Sequence, residues 1–570
     1  IPTESIPLAH KTKEPLRAGM TRWCDMFTPR QLLGHLTLVE ELNRLKPQII
    51  AELGEDRGRA VVTYLQFAID KGVDYNSRQT RWEYTRGIIK GTFGRHDFSL
   101  KWTYGEMIFT GPQSGAAWGL SQILDAYKGM AQLLTSGDSS NYERLKIQCG
   151  TAAYMPSITD ASVDMICMDP PYYNNVQYAE LSDYFYVWQK RTLRELYPEY
   201  FSRRLTNKRD EAVANPDRDG GTANAKAEYK RMMKEIFSEC RRVLHDEGLM
   251  TMMFTHKSQE AWEALTQSLI ESNWNITSSF PVESETQQGI HTKGNASAIS
   301  SVFLSCRKRL TDAAEPATWT GIGGTGVQKR IQEAVKQGLE EFAQLKLNPV
   351  DEMVASYGRA LRVLSERWPV LDGDEEVGPM RAMNEASRVV AENQIKRLTS
   401  GRLRVDDLKP EAAMALTLFG IYGLGELPYD DALNISKSLN IRLEAKSGGY
   451  TADGPFIGIN TQARAGSRAR RAEAEDTGFH APLVRKGSKL RLARPGERHP
   501  RRLGHPQTEW DVLYGVIMAY REGDVPVARG YLDRHAENPS TIKDLLQVWA
   551  AEAADEKLRK EARALLFGLK

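Results

Sequence analysis

The chain has 570 residues, 41% of them hydrophobic and 26% charged, with a formal net charge of +2, which reads as a soluble globular protein of two to four domains. It contains no run of 18 or more apolar residues and no charged-then-apolar opening, so neither a membrane span nor a signal peptide is expected. Cys24, Cys149, Cys167, Cys240 and Cys306 form no Cys-x-x-Cys pair and no Cys/His cluster, so no disulfide framework or metal site is expected, and the expected compartment is the reducing cytoplasm. The first residue is Ile1 rather than Met, which suggests a fragment or a processed product.

Residues 1–140 read as a mainly helical N-terminal region. Leu32, Leu33, Leu36, Val39 and Leu42 make a 3.6-residue stripe over Gln31–Leu45. Thr28-Pro29 ahead of it suits an N-cap followed by a first-turn proline. Arg59–Ala68 and Ser121–Leu134 predict two further helices. From Arg144 the texture changes to short apolar runs alternating with helical stripes. Leu145–Gly150, Val163–Met168, Leu249–Phe254, Trp274–Thr277 and Ser301–Cys306 predict strands, with Val163–Met168 buried on both faces. Tyr229–Leu244 and Trp262–Ile270 predict the intervening helices. This alternation predicts an α/β fold, a Rossmann-like core over residues 141–310 with a mainly parallel sheet. A helical region over 311–460, a basic flexible arm over 461–506 and a helical C-terminal region over 507–570 follow.

Asp169-Pro170-Pro171-Tyr172 stands directly after the Val163–Met168 strand, and ligands of open α/β sheets bind beyond the carboxyl ends of strands. These residue types suit one chemistry. The exocyclic amino nitrogen of a nucleobase is a poor nucleophile because its lone pair is delocalised into the ring. The Asp169 carboxylate can accept one of its N–H bonds and the Pro170 carbonyl the other, favouring a pyramidal nitrogen. Pro170 and Pro171 fix φ and so hold that carbonyl. Tyr172 offers a flat face for a base flipped out of a duplex, and Tyr173 stands beside it as a further substrate-binding candidate with Pro171. The plain alternative is a stiff proline turn.

Asp169–Tyr172 resembles the signature of amino-methyltransferases acting on adenine N6 or cytosine N4. The longer stretch Asp169–Trp188, together with Phe27–Leu33, Tyr75–Ser77 and Phe93–Arg95, resembles a group of large adenine-specific DNA methylases carrying a domain of unknown function, often found near anti-phage defence genes. The resemblance implies a base-flipping, S-adenosylmethionine-dependent enzyme on DNA, adenine N6 before cytosine N4, with possible defence-system protein partners. It implies that Asp169 and Pro170 grip the amino group and that Tyr172 stacks on the base. Such enzymes hold the donor with a Phe-x-Gly-x-Gly loop that has no good match ahead of Asp169; Phe109-Thr-Gly111 is followed by Pro112. Truncation or a second subunit is the expectation this raises. Gly150 and Thr151 remain as candidate cofactor neighbours. The alternatives are methylation of RNA or of a protein amide, and a DNA-binding subunit of a defence or restriction-modification complex that has lost catalysis.

Other features carry weaker expectations. Gly321-Ile-Gly323-Gly324-Thr-Gly326 matches a dinucleotide fingerprint, but Glu315–Thr320 ahead of it does not read as a buried strand, so a linker is expected. His256 reads as a loop histidine, and most of Tyr178, Tyr184, Phe185, Tyr186 and Trp188 as core. Residues 462–505 hold twelve Arg or Lys against four acidic residues, a candidate phosphate-neutralising arm. Arg203, Arg204, Lys208 and Arg209 lie in a polar insertion that suits either DNA contact or a disordered loop.

Overall fold

The structure is a computed structural model. It describes residues 1–570 except 95, 99–102, 112–113, 136–144, 257, 284–299, 311–314, 346, 348, 440, 445–448, 452–453, 462–481, 487–488, 499 and 570. Two compact units emerge, one from residues 1–155 with 171–232, the other from 156–170 with 233–570. The expected 141–310 core is therefore not a single body.

The first unit is helical. Its long helices are α1 (Pro29–Leu53), α2 (Glu55–Tyr75), α3 (Gly115–Thr135) and α4 (Tyr178–Leu193). The Thr28 hydroxyl accepts from the Gln31 N–H while the Gln31 side chain accepts from the Thr28 N–H, and Pro29 occupies the first turn. That reciprocal cap satisfies donors the helix itself leaves open. Residues 171–232 join this unit because α4 supplies much of its core. Tyr184 and Trp188 are fully buried, with Phe27 stacked on Tyr184 at 5.7 Å and edge-on to Trp188 at 5.3 Å. Phe185 packs beside them, while Tyr178 is exposed.

Asp70 and His35 are among the titratable groups that lie inside that unit. Asp70 accepts from the Gln66 and Gln189 amides at 2.8 and 2.7 Å, and burial pushes its carboxyl up to about 7. His35, ringed by Phe27, Phe109 and Trp188, is brought down to about 4 by burial. Between about pH 4 and 7 folded Asp70 keeps a proton that the unfolded chain has lost, so its contribution to stability falls as pH rises. Folded His35 lacks a proton that the unfolded chain holds up to about pH 6.5, so its contribution rises over about pH 4 to 6.5. The two slopes oppose one another there.

The second unit contains a four-stranded sheet of β1 (Val163–Met168), β2 (Leu244–Phe254), β3 (Trp274–Glu283) and β4 (Ser300–Lys308), in the order β1-β2-β4-β3. Only β1 and β2 are parallel; β4 runs antiparallel to both β2 and β3. The expected mainly parallel sheet is thus a mixed one, because β4 pairs antiparallel with both of its neighbours. α5 (Thr222–Val243) leads into β2, and α6 (Gln259–Glu271) connects β2 to β3. Trp262 of α6 lies edge-on to Phe254 at 4.9 Å, and the Trp274 indole N–H donates to the Phe237 carbonyl at 3.1 Å. α7 (Val327–Phe342), α8 (Pro349–Glu366) and α9 (Pro379–Leu398) follow. α8 meets the sheet closely where Gly358 faces Ser279 and Leu304, a space that a Cβ would fill.

β1 departs from expectation. It occupies the sheet edge, and Asp164, Met165 and Cys167 are exposed, whereas the sequence predicts burial on both faces. Leu145–Gly150 forms no strand, and Leu145 and Ile147 are exposed. An apolar run shows that a strand can form but not that a neighbour will cover it.

The 311–460 region is not purely helical. Ala317–Thr318 pairs in parallel with Val370–Asp372, so a short strand does precede the glycine run, and Gly321, Gly323 and Gly324 adopt left-handed φ. Further strands, Leu427–Pro428, Arg442–Glu444, Gly449–Thr451 and Gly454–Thr461, join Leu483–Lys486 and Lys489–Leu492 in one sheet. That hairpin belongs to the stretch expected as a flexible arm; residues 462–481 of it lie outside the described residues. Arg498 and Arg502 are buried, not free for phosphate. Arg498 pairs with Glu411 at 2.8 Å and with Asp511, and Arg502 with Asp511 at 2.8 Å. This cluster ties the stretch to α10 (Pro410–Tyr422) and α11 (Glu509–His535). There Phe419 stacks on Trp549 of α12 (Pro539–Glu552) at 4.4 Å.

Replacing Asp511 with Ala leaves the buried Arg498 and Arg502 guanidinium groups with Glu411 between them, and a loss of about 3–5 kcal/mol is expected in urea denaturation. For Asp70→Asn, stability over pH 4–6.5 is expected to rise with pH more steeply than in the wild type. The slope difference should reach up to about 1.4 kcal/mol per pH unit; parallel profiles would refute the buried carboxyl's shift.

Candidate functional site

The motif begins where β1 ends. β1 is held to β2 by parallel pairing, with Met165 opposite Leu249 and Met168 opposite Met252. The segment before it is anchored on the end of α5. The Arg242 guanidinium donates to the Ile158 carbonyl at 3.0 Å and pairs with Asp160, and the Ala161 and Ser162 N–H groups donate to the Arg242 and Val243 carbonyls, both at 2.9 Å. Chain direction at the end of β1 is thereby fixed from behind. Asp169 follows, solvent-exposed, and Pro170 is buried.

The division between the units falls between Pro170 and Pro171. In the first unit Pro171 and Tyr172 are half-buried and Tyr173 is buried. The Pro171 carbonyl is doubly engaged, accepting from the Tyr173 N–H and from the Tyr229 hydroxyl, each at 2.9 Å. Burial raises the Tyr229 hydroxyl well above the usual tyrosine range, so it remains a donor at any physiological pH. The Asn175 N–H donates to the Tyr172 carbonyl at 3.0 Å, and the Ala214 N–H to the Tyr173 carbonyl at 3.0 Å. Tyr173 has φ +54°, a left-handed conformation that costs a non-glycine residue on the order of 1–3 kcal/mol and persists only where its surroundings impose it. Its ring lies edge-on to Tyr229 at 5.1 Å.

These contacts sort the predicted residues. Asp169 is accessible, and Tyr172 keeps part of its surface open. Tyr173 is not available as a stacking face, because its ring is committed to Tyr229. Tyr229, expected only as the first residue of a helix, is the residue that sequence reasoning missed; nothing at its position distinguishes a core tyrosine from one whose hydroxyl reaches a turn 58 residues away. His256 behaves as a loop histidine: its Nδ1 accepts from the Ser258 N–H at 3.0 Å and its carbonyl from the Trp262 indole at 2.9 Å. In the polar insertion, Lys208 pairs with buried Asp183 at 2.7 Å. Arg218 donates to the Lys208, Glu211 and Val213 carbonyls, so this loop is ordered, with Arg203, Arg204 and Arg209 exposed.

Gly150 and Thr151, the candidate cofactor neighbours, are both exposed, in a turn closed by a bridge from Thr151 to Tyr154. Among the described residues no group of His, Cys, Asp and Glu could hold a metal ion, and no helix is long and apolar enough to cross a membrane. Comparison with family models, curated proteins and solved structures finds no match for the chain.

The Tyr229→Phe variant removes one of two donors to the Pro171 carbonyl and keeps the ring contact. A loss of about 0.5–1.5 kcal/mol is expected, measured by urea denaturation, with faster amide exchange at Tyr173 and Asn175. Unchanged exchange there would show that the hydroxyl does not hold the turn.

Proposed function

We propose that this chain carries the amino-group grip of an S-adenosylmethionine-dependent DNA methyltransferase, acting on adenine N6 in preference to cytosine N4. The observation that carries this reading is an exposed carboxylate, Asp169, set immediately beyond the carboxyl end of a strand in parallel pairing and followed by a stiff turn that leaves Tyr172 partly open. Asp169 accepts one N–H of the target amino group and the Pro170 carbonyl the other, which draws the nitrogen toward a pyramidal geometry and frees its lone pair. Tyr172 receives the face of the flipped base. Tyr229 acts on the site only as a positioning residue, by keeping the Pro171 carbonyl out of play.

S-adenosylmethionine would supply the methyl group. The candidates Gly150 and Thr151 do not fit as its seat, so the reading gives this chain the substrate grip and assigns the donor to none of its described residues. That disagreement favours a second reading, a DNA-binding subunit of a larger defence complex without catalysis of its own.

Transfer of a labelled methyl group to duplex DNA, with DNA binding followed by fluorescence anisotropy, distinguishes the two. Asp169→Ala is expected to lower transfer by about 10²–10³-fold and Tyr172→Ala to weaken it, with duplex affinity kept in the first. Transfer unchanged in Asp169→Ala would overturn the methyltransferase reading, and DNA binding with no transfer by the wild type would favour the second.

A further inference from the structure

The first unit carries a two-stranded ribbon, Arg81–Glu83 antiparallel to Ile88–Lys90, which pairs with no further strand among the described residues. Its root is fixed. The Thr80 hydroxyl donates to the Gly105 carbonyl at 2.6 Å, and the Thr92 hydroxyl to the Asp74 carbonyl at 2.8 Å. Gly105 lies so near Ile89 that a Cβ there would meet it at 2.9 Å. The turn is fixed as well, because the Arg86 and Gly87 N–H groups both donate to the Glu83 carbonyl, at 3.3 and 2.9 Å. The Glu83 carboxylate is used on the spot, accepting from the Thr85 hydroxyl at 2.8 Å and pairing with Lys90 at 2.6 Å and Arg81 at 3.8 Å. This ordered turn presents groups that hold nothing. Trp82 is 57% and Tyr84 89% exposed, and Arg86 is exposed with no ion pair among the described residues.

Charge and ring placement select the occupant. One carboxylate of the ribbon is shared by two cations, and Arg86 is surplus to both. Residues 78–101 hold six Arg or Lys against two acidic residues, in a chain whose whole net charge is +2. A polyanion complements such a surface. The rings narrow the choice. Trp82 stands opposite Ile89, whereas Glu83 stands opposite Ile88, so Trp82 and the exposed Ile88 lie on different faces of the ribbon. No continuous apolar face is therefore offered to a protein groove or a bilayer. Separate flat rings beside a guanidinium group suit nucleobases, which stack on aromatic side chains whatever their sequence. A two-stranded ribbon is also an element that the major groove of DNA admits.

We infer that the ribbon Arg81–Lys90 is a DNA contact, in which Arg86 neutralises a phosphate while Trp82 and Tyr84 stack on bases that have lost their pairing. The inference rests on the reading of the chain as one that acts on DNA, and it names a second surface for that substrate. Binding of the full chain to labelled duplexes with and without a central unpaired base, followed by anisotropy across a salt series, tests it. Tyr84→Ala and Trp82→Leu, the latter keeping an apolar partner opposite Ile89, are each expected to weaken binding to the interrupted duplex at least about fivefold. Their salt dependence and circular dichroism spectra should stay as in the wild type. Arg86→Gln is expected to weaken binding to both duplexes and to reduce the slope of log affinity against log salt by about 0.9. Affinity and slope unmoved in all three variants, or no DNA binding by the wild type, would overturn the inference. Loss of binding to phosphatidylserine vesicles in the same variants, with DNA binding kept, would overturn it in favour of a membrane surface. Methyl transfer on the same duplexes separates this claim from the one at Asp169. Transfer with ribbon-independent binding sinks the ribbon alone, whereas ribbon-dependent binding without transfer supports the ribbon and favours the non-catalytic reading.

Discussion

The parallel register of β1 on β2 is the constraint on which the rest of the candidate site depends. A carboxylate becomes useful beyond a strand only if the strand stops at a fixed point and in a fixed direction. Both are imposed from β2, where Met252 lies opposite Met168, and from the end of α5, where Arg242 pins the approach to β1. Pro170 and Pro171 then carry the direction forward without the rotational freedom an ordinary dipeptide would have. Within the first unit, Tyr229 engages the carbonyl of Pro171, one residue beyond Pro170. The chemistry proposed for Asp169 therefore rests on backbone order.

Two kinds of core support this frame. The first unit is built around interlocking aromatic rings with polar groups inside, and burial there disfavours the ionised forms of both Asp70 and His35. The C-terminal part of the second unit combines a stacked Phe419–Trp549 pair with a buried cluster of Arg498, Arg502, Glu411 and Asp511. Buried ion pairs of this kind contribute more to fixing one arrangement than to net stability. Here they fix a stretch that its composition alone would leave free.

Much of the local structure was legible in the sequence. The Thr28 cap, the bounds of β1 and the helices of the first 135 residues follow from periodicity and capping chemistry, which act over a few residues. What failed was everything that depends on a distant neighbour. The apolar run of β1 does not say that it lies at an edge, and the alternation in Leu145–Gly150 does not create a partner for it to pair with. Arg498 and Arg502 read as solvated charges because Glu411 and Asp511, which neutralise them, stand 87 and 9 residues away. For the candidate site, Asp169 and Tyr172 stand out in the sequence because their residue types suit the proposed chemistry. The burial of Tyr173 was not, since it depends on a left-handed turn and on a ring from another helix.

The open side of β1 has a consequence for how the motif is governed. Its outward backbone groups form a template for any extended segment, and a strand added there would grip the same six residues whose last member adjoins Asp169. Because alternate residues of a strand point to opposite faces, the register such a newcomer chose would decide how tightly the carboxylate's orientation is held. Pairing at the outer rim of this sheet would thus reach the orientation of Asp169 through the main chain alone.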